Sequence, residues 1–102
     1  MIDIAELMQK RMALVEQLAA LNSKQLQNTQ TRSGIEVELL TVIELIERNG
    51  ETEATLFGRT ELEARYKTAA DACAACEREL DALAEDLTVL DQQIEQQAGP
   101  AA

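Results

Sequence analysis

A ladder of apolar residues runs unbroken through the last third of this chain. Leu62, Tyr66, Ala69, Cys73, Cys76, Leu80, Leu83, Leu87, Leu90 and Ile94 follow one another at alternating spacings of four and three. An average repeat of 3.5 residues places all ten on one stripe of a single α-helix. Such a stripe needs a partner helix of similar length. A matching ladder precedes it: Ile4, Leu7, Arg11, Leu14, Leu18, Leu21, Gln25, Asn28, Arg32, Ile35, Leu39, Val42 and Ile46. Two long heptad segments joined by a short link predict an all-α fold, a long antiparallel coiled-coil helical hairpin.

The first helix is expected over residues 3–49, about 67 Å at 1.5 Å per residue. Asp3 with Glu6 makes a capping-box-like start, and Asn49-Gly50 a stop at which glycine can take the left-handed conformation. The polar run from Asn22 to Gly34 is the weak point, because Ser33-Gly34 disfavours helix and Ser33 with Glu36 could cap a new one. Continuity is the better expectation. The phase set by Leu14, Leu18 and Leu21 carries across the gap to Ile35, Leu39 and Val42, and a free loop has no cause to preserve register. A kink at Gly34 is compatible with this.

A link is expected over residues 50–60, with Leu56 and Phe57 inside it, either folded back over the bundle end or exposed as an apolar tip. Thr60 with Glu63 would then cap the second helix, residues 61–98, which ends before Gly99-Pro100. A single domain over 1–98 and a disordered tail over 99–102 complete this organisation. Antiparallel pairing of the ladders brings Ile46 near Leu62, Val42 near Tyr66, Leu39 near Ala69, Ile35 near Cys73, Arg32 near Cys76 and Leu18 near Leu90.

Two helices alone bury little, and small chains usually need a staple or a second subunit. Met8, Met12, Val15 and Ala19 form an extra apolar stripe beside the seam. From Ile35 to Ile46 the helix is apolar on nearly every side, with Val37, Leu40 and Ile43 outside the seam, so burial all round is expected. These features predict a homodimer that makes a four-helix bundle. Met8, Met12, Val15, Val37, Leu40, Ile43, Leu56 and Phe57 are the candidate self-association or partner-binding residues. The polar seam residues Arg11, Gln25, Asn28 and Arg32 cost stability. They mark either a loosely packed, wet middle or a network that fixes register and permits partner exchange.

Among 102 residues there are one Phe, one Tyr, no Trp and no His. The net charge of −10 is unevenly spread. Residues 1–49 hold seven acids and five bases, a net −2, whereas residues 62–102 hold nine acids and three bases, a net −6. No base follows Arg78, but Glu79, Asp81, Glu85, Asp86, Asp91 and Glu95 do. Direct nucleic-acid binding rests on cations and is not expected. The acidic row reads either as a solvated helix face or as a surface for a basic partner. No basic, apolar leader begins the chain and no apolar run is long enough to span a membrane, so a cytoplasmic protein with two free thiols is expected.

Cys73-Ala-Ala-Cys76 is the one motif with chemical potential. Redox CxxC motifs head a helix, where the dipole lowers the thiol pKa, whereas this one lies mid-helix on the seam. A zinc site would need four ligands, hence two chains. Small core residues are the expected role. The Glu44/Glu47 spacing lacks the His of a di-iron bundle and sits off the seam. With no His, no phosphate loop and no nucleophile elbow, neither an enzyme nor a cofactor is expected. The expected function is a non-enzymatic protein–protein interaction module, a small acidic coiled-coil adaptor or assembly factor that self-associates and docks on a partner protein. Two alternatives are an acidic inhibitor that occupies a basic nucleic-acid-binding surface, as in phage counter-defence, and a dedicated chaperone of an export or phage structural protein.

Overall fold

A computed structural model describes residues 3–99, and Pro100 and the rest of the expected tail lie outside the described residues. Two helices make up the fold, α1 over Ile4–Asn49 and α2 over Glu53–Ala98, packed as a hairpin. The α1 ladder runs straight through Ser33-Gly34 as helix, as the preserved phase predicted. Asp3 caps α1: its Oδ1 accepts from the Ala5 N–H at 2.9 Å. At the other end Gly50 takes φ 82°, and its N–H donates to the Ile46 carbonyl at 2.8 Å. That φ excludes a Cβ at low cost, so Gly50→Ala should lower stability by about 1 kcal/mol in thermal unfolding.

The link is shorter than expected, and its correction moves the register. Only Gly50, Glu51 and Thr52 separate the helices, whereas a link through Thr60 was expected. Thr52, not Thr60, caps α2. The Thr55 N–H donates to Thr52 Oγ1 at 3.2 Å, and the Thr52 N–H donates to Thr55 Oγ1 at 2.8 Å, a reciprocal box with Thr in the place usually held by Glu. Leu56 and Phe57 therefore lie on the helix rather than in a loop, and Gly58 is helical. Thr52→Ala should cost about 1 kcal/mol, read as a lowered thermal midpoint, whereas Thr60→Ala should cost nothing measurable.

A helix that starts at Glu53 brings the turn closer and slides α2 by about one heptad against the expected pairing. Cys76 lies at the Leu21 carbonyl, its Sγ 3.5 Å away, and not opposite Arg32. The Gln25 amide reaches the Cys73 carbonyl at 3.0 Å, where Ile35 had been expected. The four-three ladder also continues upward through Arg59 and Thr55, both half-buried. Polar residues in those seam positions hid this extension in the sequence.

Packing divides the hairpin into two compact units. The unit of residues 25–75 contains the turn. Its core joins Ile35, Leu62 and Ala69, with Leu39, Val42 and Tyr66 packed around them. The other unit pairs residues up to Lys24 with those from Cys76 onward, and buries Leu7, Cys76 and Leu90. No side chain among the described residues is fully buried. The core of each unit is thus one seam deep.

Candidate interaction surface

The seam positions read from the sequence are the ones that turn inward. Every rung of both ladders is buried or half-buried, Ile4 at the end excepted. What remains exposed falls into registers beside the seam. Met8, Met12 and Val15 each follow a seam residue by one position and are exposed in the terminal unit. In the turn unit Leu26, Leu40 and Leu56 occupy the same register and are exposed, whereas Ile43 is half-buried. Val37 and Phe57 lie further out, at 64% and 71% exposure. Leu56 and Phe57 do not fold back over a bundle end. Helix continuity from Glu53 holds them on the outer surface of α2.

Antiparallel helices place the positions just after the seam on one flank and those just before it on the other. In the turn unit the second flank is mixed: the exposed Leu45, one position before Ile46, and Ala64 and Ala72 lie on it beside charged residues. Arg65 Nη1 and Glu38 Oε2, each one position before the seam, approach to 3.8 Å across the helices, and Glu61 lines the groove beside them. The first flank carries Leu26, Leu40, Ile43 and Leu56. Leu26 and Val89 were missed as exposed apolar residues, although the place of Leu26 directly after Gln25 in the ladder could have revealed it; Leu45, part of the segment read as apolar on nearly every side, is exposed as well.

The polar seam has a specific structure. Gln25 crosses to a backbone carbonyl of α2, and the Asn28 amide lies 3.5 Å from the Gln25 Oε1. Long polar side chains on α1 thus face small residues on α2, of which Ala69 and Cys73 are buried. Such complementarity of size ties one register to one pairing, because a slip of a heptad would set Gln25 against Leu80 or Tyr66. Among the described residues no buried side-chain nitrogen or oxygen lacks a hydrogen-bond partner. Arg11, at the seam edge of the terminal unit, leaves it to meet Asp91 Oδ1 at 2.7 Å, an exposed pair of small energetic weight.

Cys73 and Cys76 are free and buried in the seam. Among the described residues no three His, Cys, Asp or Glu side chains gather as a metal-binding group. Of the acidic row, Glu79, Asp81, Glu85, Asp86 and Glu95 project into solvent, and only Asp91 is ion-paired. No helix is long and apolar enough to cross a membrane. The architecture defines a two-helix, all-α hairpin. No protein-family model matches the chain, and no curated protein or solved structure matches it either.

Proposed function

We propose that this chain is a non-enzymatic protein–protein interaction module, a small acidic adaptor or assembly factor that self-associates and docks on a partner through its exposed apolar flank. One observation carries the reading: large apolar side chains stay in solvent along α1, while the core beneath them is one seam deep. Water-exposed Met, Leu and Val in register with a packed seam are unfavourable unless another helix covers them. A hairpin that pairs with itself becomes a four-helix bundle, in which each seam gains a second layer. The test of self-association is light scattering across protein concentration, with a mass above that of the single chain expected. A single-chain mass at every concentration sinks it. Partner docking is tested by a photo-crosslinking side chain at Met12. The expected result is an adduct with one defined second protein that disappears in Val15→Asp. Adducts with the chain itself alone would restrict the reading to self-association.

A second reading, an inhibitor that covers a basic surface, draws support from the solvent-facing row Glu79, Asp81, Glu85 and Asp86. The two readings separate by salt. Capture by charge weakens steeply as ionic strength rises and fails on charge reversal at Asp86, whereas helix packing is nearly indifferent to both.

A further inference from the structure

In the terminal unit the flank after the seam carries two stripes of different kinds. On α1 Met8, Met12, Val15 and Ala19 recur at spacings of four, three and four, and all are exposed, Met12 at 64%. The strip they form is about 17 Å long at 1.5 Å per residue. On α2, again one position after a seam residue, stand the exposed Glu77, Asp81, Asp91 and Glu95, with Ala84 and Thr88 between them. Asp91 is paired to Arg11, whereas Glu77, Asp81 and Glu95 make no ion pair among the described residues. The other cations of the unit lie elsewhere. Arg78 is on the outer surface of α2, and Lys10 and Lys24 are on the opposite flank, one position before the seam. That flank mixes both signs of charge, with Asp3, Glu6, Glu79 and Asp86, around Val89 and the small Ala13, Ala20 and Ala82. Only the flank after the seam sets an apolar strip against a row of acids without cations of its own to spare.

An exposed apolar strip with four-three spacing matches the face of one further helix. Methionine side chains adapt their shape to the apolar face they meet. The acidic rim sets the sign of the charge that such a helix brings, because carboxylates at the edge of an interface favour cations and oppose anions. A second copy of this chain does not supply them. Its α1 holds six acids and five bases, a net −1, and its α2 eleven acids and four bases, a net −7. Nucleic acid and anionic lipid surfaces also carry the opposing sign. Resting on the docking reading above, we propose that the flank after the seam in the terminal unit seats a basic amphipathic helix of a partner protein. Its apolar face lies on Met8, Met12 and Val15, and its Lys or Arg side chains turn toward Glu77, Asp81 and Glu95.

The test titrates the full chain into a labelled synthetic helix of Leu and Lys, its Leu at four-three spacing, and follows fluorescence anisotropy at physiological salt, where charges beyond about 8 Å are screened. The control peptide keeps the Leu positions and carries Glu for Lys. The expected result is binding of the Leu/Lys peptide and none of the Leu/Glu peptide. Met12→Gln and Asp81→Lys should each weaken binding about tenfold. Glu79→Lys, the same change of charge on the opposite flank, should leave it nearly unaltered. Circular dichroism checks that each variant stays helical, and Glu95→Lys replaces Asp81→Lys if that variant does not. No binding of the Leu/Lys peptide, equal binding of the two peptides, or equal losses in Glu79→Lys and Asp81→Lys each overturn the basic-helix seat. The docking reading falls separately, on the absence of a second-protein adduct at Met12.

Discussion

Ile35→Ala should lower the unfolding free energy by about 3 kcal/mol, within the 2–5 kcal/mol typical of truncating a buried Ile. Ile35 is 5% exposed and lies at the centre of the cluster that joins α1 to Leu62 and Ala69. A core one seam deep has no second layer that could move in to fill the space. Small domains are commonly stable by only about 5–15 kcal/mol, so this loss is a large share of the total. Chemical denaturation followed by circular dichroism measures it. Gln30→Ala, on the same helix and exposed, is the control and should change the midpoint little. Equal effects at the two positions would mean that the seam is misplaced.

Gly34→Pro should be equally severe, at about 3 kcal/mol or more, because proline inside a helix loses one backbone hydrogen bond and its ring clashes with the carbonyl four residues back. The same position should respond in the opposite direction to alanine. Gly34 is helical, and a Cβ built on it meets nothing within 4 Å, so Gly34→Ala should stabilise by about 1 kcal/mol. The pair of variants separates a continuous helix from a loop, since a loop at Ser33-Gly34 would tolerate proline. Gly58, likewise helical with open space at its Cβ, should follow Gly34, whereas Gly50 with its positive φ should not.

The inward face of each helix was legible because heptad spacing is a local property of the chain. Leu7, Ile35, Leu62, Cys73, Cys76 and Leu90 are buried, and each is a rung of a ladder visible in the sequence. Continuity through Gly34 was legible for the same reason, as conserved phase on either side of a polar gap. The start of α2 was not, because the capping box at Thr52 and Thr55 has Thr where Glu is usual, and Thr60 with Glu63 matches the usual pattern better. The register error followed from that misplacement. A heptad ladder matches a second ladder equally well after any slip of seven residues, so pattern alone leaves the pairing degenerate.

Sequence by itself therefore determined that the chain folds as two helices, which face of each turns inward, and that apolar residues remain beside the seam. Which rung meets which was decided in three dimensions. A three-residue link allows one register, and there Gln25 finds the Cys73 carbonyl while the small α2 residues leave room for the polar rungs of α1. Tertiary structure also decided which residues beside the seam share a flank, because that depends on how two helices lie against each other and not on the spacing within either one.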